Sequence, residues 1–233
     1  MPALRPLRFL VPAALLALLL GGLLLGRVGA AEEKKDAGAD AKPDDEGFVS
    51  LFDGKSLDGW KVGDKADGWK VEDGHIIVHN GPSHMFYVGP VHDHDWKNFH
   101  IKVELMTFPH ANSGVYFHTK YQEKGWPDEG FEAQVNCTHT DWKKTGSLYD
   151  VKDIPDPHHK DNEWFLYEVI VKGDHVTLKV NGDVINEWTQ PDGFKPPKGH
   201  PGRFLHHGTF ALQGHDPGSQ TWFRSIKVKA LED

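Results

Sequence analysis

The chain reads as an all-β protein, a two-sheet sandwich of jelly-roll type, and three observations predict it. After residue 47, short runs with period-two alternation follow one another, bounded by Gly, Asn, Asp or Pro. No long segment beyond the N-terminus carries helical periodicity. The runs number about a dozen and show no internal repeat, which suits two stacked sheets better than one small barrel.

The N-terminus stands apart. Arg5 and Arg8 precede a Leu/Ala-rich stretch over residues 9–25, and Val28-Gly29-Ala30 places small residues where a signal peptidase cuts. The stretch is near the lower limit for a membrane span, yet Pro12 and the cleavage-like tail favour removal. Residues 1–31 are therefore expected to be a signal peptide. The protein is expected to be exported, to a periplasmic or extracellular space, without a stable membrane anchor. Residues 32–46, rich in Glu, Lys, Asp, Ala and Gly, read as a solvated linker, and residues 47–233 as one domain.

Within that domain, Phe48-Val49-Ser50-Leu51-Phe52 leads into the turn dipeptide Asp53-Gly54 and a further strand over residues 57–61. Trp69-Lys70-Val71-Glu72, Asp73-Gly74 and residues 75–79 form a hairpin pattern. Residues 99–105 alternate cleanly. So do residues 176–180, joined through Asn181-Gly182 to residues 184–188, and that Asn-Gly pair is the strongest hairpin signal in the chain. Residues 209–213 and 221–230 supply two more strands, with Ile226 and Val228 opposed by Lys227 and Lys229. Long connections over residues 121–130, 154–162 and 193–204 are expected to frame a site above one sheet.

Composition narrows the partner. The formal charge is −8, and loss of residues 1–31 removes three basic and no acidic residues, leaving −11. Such a domain repels nucleic acid and anionic membranes, so a neutral ligand is expected. The single cysteine, Cys137, excludes an intrachain disulfide, and stability must come from a packed core.

The most informative stretch is Asn112-Ser113-Gly114-Val115-Tyr116-Phe117-His118, with Phe131-Glu132-Ala133-Gln134 after it. As strands, these put Val115, Phe117, Phe131, Ala133 and Val135 on one face. Asn112, Tyr116, His118, Glu132, Gln134 and Asn136 take the other. A polar face with aromatic and hydrogen-bonding groups is what sugar recognition requires. Gln213 and His215 share a face of a later strand, and Arg224 lies beyond. Glu132 is the only acid in the first pair of strands. The residues alone admit two readings of it: a catalytic carboxylate, or a structural one paired with Arg224 or Lys120.

Sixteen histidines invite a metal reading, and His92-Asp93-His94-Asp95 is the nearest to a ligand cluster. On an extended strand His92 and His94 share a face and offer two nitrogens to a divalent metal ion. Following Gly89-Pro90, the same residues also read as an exposed loop. There is no Gly-x-Ser-x-Gly elbow, no glycine-rich phosphate loop, and no strand with two in-facing acids at glycosidase spacing.

Taken in order, several motifs resemble the 3-keto-disaccharide hydrolase domain family. They are Phe48-Val49-Ser50-Leu51-Phe52-Asp53-Gly54-Lys55-Ser56-Leu57-Asp58-Gly59-Trp60, Trp69-Lys70-Val71-Glu72-Asp73-Gly74, Asn112-Ser113-Gly114-Val115-Tyr116-Phe117 and Phe131-Glu132-Ala133-Gln134-Val135. Thr145-Gly146-Ser147-Leu148-Tyr149, Asn181-Gly182, Ala211-Leu212-Gln213-Gly214-His215 and Phe223-Arg224-Ser225-Ile226 complete the set. The resemblance implies a concanavalin-like jelly roll and a sugar already oxidised at C3. The C3 ketone acidifies the C2 hydrogen, so one general base can initiate elimination of the glycosidic oxygen, with water adding back for net hydrolysis. It implies Glu132 or His118 as base and His215 as general acid. Arg224 or a bound divalent cation would stabilise the enolate, and Asn112, Tyr116, Gln134, Tyr149 and Gln213 would bind the sugar. One departure stands out: the family commonly has arginine where this chain has His118.

Two other functions fit the same fold. One is a non-catalytic carbohydrate-binding module, with Trp126, Trp142 and Trp164 stacking on sugar rings while Trp60, Trp69 and Trp188 pack the core. The other is an ordinary glycosidase whose acids come from different strands.

Overall fold

The computed structural model describes residues 42–233. The expected signal peptide and residues 32–41 of the expected linker lie outside the described residues. Thirteen strands follow in chain order: β1 (Val49–Ser50), β2 (Trp60–Val62), β3 (Trp69–Glu72), β4 (His75–His79), β5 (Ser83–Tyr87), β6 (Phe99–Thr107) and β7 (Asn112–Thr119). Then come β8 (Phe131–Asn136), β9 (Phe165–Lys172), β10 (His175–Val180), β11 (Asp183–Thr189), β12 (Thr209–Gly214) and β13 (Gln220–Ala230). They form two antiparallel sheets. The larger has the order β11-β10-β9-β6-β13-β4-β3 with β1 on β13, and the smaller β2-β5-β12-β7-β8.

The core lies between the sheets. Ile101 and Val103 of β6 and Phe223 and Ile226 of β13 meet Val115, Phe117, Phe131 and Leu212 from the smaller sheet. Each such side chain contributes about 1.5–3 kcal/mol on leaving water. In β13, Lys227 and Lys229 point outward as the alternation requires, and the ladder slips once, between Phe223 and Ser225. The two predicted hairpins, β3–β4 and β10–β11, are present.

Two strands were not legible. In β5, Met85 and Tyr87 face the core, while His84 and Phe86 lie under a loop, so both faces are buried and no polar alternation survives. The other is β9, buried along most of its length between β6 and β10. The expected first strand over residues 48–52 shrinks to Val49–Ser50. The end of the expected linker belongs with the domain. Asp44 pairs with Lys227 at 3.1 Å, and Glu46 with Lys102 at 2.6 Å.

What positions the site is the cover on the outer face of the smaller sheet, where β5, β7, β8 and β12 are buried at every residue. Residues 121–130 leave the end of β7 and cross this face to the far edge. There Gly125 N–H donates to Asp64 Oδ2 at 2.9 Å. Tyr121 packs on Phe86 of β5, beneath the Lys61 ammonium of β2. This strap and the connection over residues 193–204 wall in part of the sheet face, as the loop lengths led one to expect. Residues 154–162 do not line the cavity; there His159 stacks on Phe165 instead.

Candidate active site

Period-two alternation in β8 carries Glu132 and Gln134 to the outer face, and the same rule brings Tyr116 of β7 and Gln213 of β12 beside them. The space for the carboxyl is made by Gly114, whose Cα lies opposite Gln134. A Cβ there would sit 2.6 Å from Glu132 Oε1. Tyr116 O–H donates to Glu132 Oε2 at 2.9 Å, and Gln213 Nε2–H donates to Oε1 at 3.0 Å and to Tyr116 Oη at 3.0 Å. The segment ending in Tyr149 adds itself to β8, with Tyr149 N–H bonded to Glu132 O at 3.0 Å and Gln134 N–H to Ser147 O at 3.0 Å.

Around these groups lies a cavity of about 230 Å³, lined also by Trp126 and Pro127 of the strap and by Asp150, His200, Arg203 and His215. That is below the roughly 300–1,000 Å³ of drug-sized sites and suits a single sugar ring. Glu132 is 4 % exposed, and burial pushes its pKa up to about 7. The Arg203 guanidinium, 3.9 Å from Oε2, and the bonds from Tyr116 and Gln213 pull the other way without overcoming burial. Arg203, 5 % exposed, is held by donating to Tyr149 O. Asp150, the other carboxyl on the wall, is held below its usual range by Lys143, against the effect of burial, and lies 3.1 Å from His200 Nε2.

The structure thus brings together Glu132, Tyr116, Gln134, Tyr149, Gln213 and His215. Of the tryptophans proposed for stacking, Trp126 reaches the cavity. Trp142 is exposed elsewhere, and Trp164 stacks on His75. Trp60 and Trp69 pack the core, with Trp188 against its edge.

Five expected site residues lie elsewhere. His118 leaves the face of Tyr116 because the β7–β12 ladder is interrupted by a bulge and His118 takes φ +55°. Its ring sits against Phe99, Phe117 and His206. Nε2–H donates to Lys97 O at 2.9 Å, while Nδ1 accepts from His206 N–H at 3.2 Å. Both nitrogens are committed, and burial lowers its pKa to about 4, so it is a neutral structural group and no base.

Arg224 projects from the larger sheet. It makes a two-pronged pair with Glu104 at 3.1 and 3.2 Å and lies over Trp164, so it neither pairs with Glu132 nor meets a sugar in the cavity. Lys120 is likewise taken, by Glu129. Asn112 is buried beside the cavity rather than in its wall. Finally, His92 and His94 do not share a strand face. Val91–His94 is a left-handed turn in which His92, Asp93 and His94 have φ of 52°, 50° and 46°. Their Nδ1 atoms meet the carbonyls of Asp95 and Gly89.

Among the described residues, the group whose donor atoms converge for a cation is instead His139, His215 and Asp216. Sequence reasoning missed Arg203, His139, Asp150 and His200. Arg203 carried one signal, as the lone arginine in the long Pro/Gly-rich connection over residues 193–204.

Comparison with known proteins agrees with the fold. The family described as 3-keto-alpha-glucoside-1,2-lyase-like domain matches residues 47–229. A Bacteroides thetaiotaomicron protein named 3-keto-disaccharide hydrolase is 27 % identical, over 81 % of this chain and 80 % of the relative. A Parabacteroides distasonis structure, provisionally designated a glycosyl hydrolase, aligns with TM-score 0.68 and 25 % identity over 80 % of this chain and 95 % of its own. The carbohydrate-binding module CBM66 of Bacillus subtilis shares the fold, with TM-score 0.55 and 11 % identity over 74 % of this chain and 96 % of that one.

Proposed function

The chain belongs to the 3-keto-alpha-glucoside-1,2-lyase-like domain family, and on that premise we propose that it is an exported enzyme that cleaves the glycosidic bond of a 3-keto-glycoside by C2 proton abstraction. The observation that carries this reading is Glu132: a buried carboxyl in a one-ring cavity, poised near pH 7 and fixed by two donors. A base whose pKa lies near the working pH combines a useful ionised fraction with adequate proton affinity. Ionised Glu132 takes the C2 hydrogen, and the electron pair moves toward the C3 ketone oxygen. Arg203, 3.9 Å from Glu132 Oε2, is the positive group on the cavity wall available to stabilise that charge. As the C1–O bond breaks, C1=C2 forms. The protonated carboxyl next to these atoms can return its proton to the departing oxygen, so one group serves both halves of the elimination. Addition of water, hydroxyl to C1 and hydrogen to C2, completes net hydrolysis. Gln134, Tyr149 and Gln213 present donors and acceptors to the ring hydroxyls, and the Trp126 face is available to its C–H side.

A second reading has its own observation. Glu132 raised and Asp150 lowered are two carboxyls pushed apart in pKa, the pattern of a glycosidase acid and its partner. Against it, Asp150 is already engaged by Lys143 and His200.

One experiment separates these readings. The protein is incubated in heavy water with a native disaccharide and with its 3-keto derivative, and products and C2 deuterium are followed. Exchange and cleavage of the keto sugar alone, reduced about 10²–10⁴-fold by Glu132→Gln, is the expected result. Wild-type turnover by Glu132→Gln overturns it. Cleavage of the native sugar that depends on Asp150 establishes the glycosidase, and binding without turnover a carbohydrate-binding module.

A further inference from the structure

His139, in the loop after β8, and His215 and Asp216, directly after β12, bring ring nitrogens and a carboxylate oxygen within 4.8 Å of one another. Asp216 Oδ2 lies 3.0 Å from His215 Nδ1 and 3.5 Å from His139 Nε2. A cation bonded at about 2.0–2.2 Å in tetrahedral geometry needs its donors roughly 3.3–3.5 Å apart. The two distances from Asp216 match that spacing to within a few tenths of an ångström. The Asp216 carboxylate is held in place from two sides: Ser219 O–H donates to Oδ2 at 2.8 Å and Gly218 N–H to Oδ1 at 2.9 Å.

A second observation points at the same place. Asn112 is 1 % exposed, its Nδ2 lies 3.4 Å from His139 Nδ1, and its Oδ1 has no partner among the described residues. A buried carbonyl oxygen without a donor costs about 1–3 kcal/mol. A histidine that ligates through Nε2 carries its proton on Nδ1 and gives it to a neighbouring acceptor. Asn112 Oδ1 becomes that acceptor once the amide is turned over, an orientation that is assigned from hydrogen-bonding partners. Ligation then costs the bond that Asp141 N–H now makes to Nδ1 at 3.1 Å, and it satisfies the orphaned carbonyl.

We propose that His139, His215 and Asp216 form a site for a first-row divalent metal ion at the wall of the catalytic cavity, with Asn112 orienting His139. Two imidazoles and one carboxylate favour Mn²⁺ through Zn²⁺ over Ca²⁺ or Mg²⁺, which prefer all-oxygen sites. His215 also lines the cavity, so the remaining coordination positions are directed where a sugar would lie. The ligand class matches, and here the inference rests on the proposed reaction. A 3-keto sugar carries a carbonyl flanked by hydroxyls, a two-oxygen chelating unit, and a bound divalent ion supplies Lewis-acid polarisation to a carbonyl. In this assignment His215 is a ligand rather than the proton donor, consistent with Glu132 serving both halves of the elimination.

The test reads metal directly. The full chain is stripped with chelator and titrated with Co²⁺ and Zn²⁺, following the Co²⁺ visible spectrum and metal content. One equivalent per chain is expected, with affinity lowered at least 100-fold in Asp216→Asn and in His139→Gln and 10–100-fold in Asn112→Leu. Failure of the stripped wild-type protein to take up a stoichiometric ion overturns the site without any variant. Unchanged affinity in folded Asp216→Asn does so as well. Stoichiometric metal with no turnover of a keto sugar overturns the reaction and leaves the site. Turnover of the keto sugar by protein that binds no metal does the reverse.

Discussion

Ionising Glu132 places a carboxylate where only 4 % of the residue meets solvent, so the proton it must lose to act as a base is one the fold favours. Its folded pKa of about 7 stands above the 4.5 of an ordinary glutamate. Between those values the folded state binds more protons than the unfolded chain, and stability falls as pH rises through the window. Two outcomes follow: kcat/KM rises with pH and levels above about 7, while the protein loses on the order of 3 kcal/mol as pH rises through the window from 4.5 to about 7. Thermal unfolding at pH 5 and pH 8 checks the second, since Glu132→Gln should gain on the wild type at pH 8 and not at pH 5. His118 makes the opposite case. With both ring nitrogens bonded to backbone and the ring buried, His118→Ala is expected to cost about 2–4 kcal/mol in urea unfolding and to leave kcat within twofold.

The strap over residues 121–130 decides how much of the sheet face a ligand can reach. Gln122 braces it from within, through bonds to Lys124 O at 2.8 Å and Trp126 O at 2.7 Å and from Asp128 N–H at 2.9 Å. On one side it presents Trp126 and Pro127 to the Glu132 cavity, and on the other Tyr121 and Glu129 to a second hollow. Trp126→Ala is expected to raise KM for the keto substrate about tenfold, the ~1.4 kcal/mol of a lost aromatic contact, with kcat unchanged. Steady-state kinetics on the 3-keto disaccharide reads this split. Alternation found the site strand β8 correctly, because successive side chains there diverge as the pleat requires. It failed at His118 because a bulge resets the phase, and nothing local in Phe117-His118-Thr119 announces one.

At the scale of the molecule, the sandwich separates two arginines that sequence could not tell apart. Arg224 faces solvent from the larger sheet, whereas Arg203 comes from a distant loop to within 3.9 Å of Glu132 on the smaller one. Arg203→Ala should lower kcat on the 3-keto disaccharide by at least 100-fold, as for a lost oxyanion partner. Arg224→Ala should leave kcat and KM within twofold, and parallel assays of the two variants check the assignment. By itself the sequence determined the all-β class, the hairpins and the faces of β7, β8 and β12 up to Tyr116, together with the family. These follow from the covalent pleat and from turn residues, which act over a few positions. Tertiary structure alone decided that Arg203 and His200 stand around the cavity with Glu132, that His139 meets His215 and Asp216, and that His118 lies elsewhere. Loop docking and ladder slips are settled by contacts between residues far apart in the chain, and period-two alternation carries no record of them.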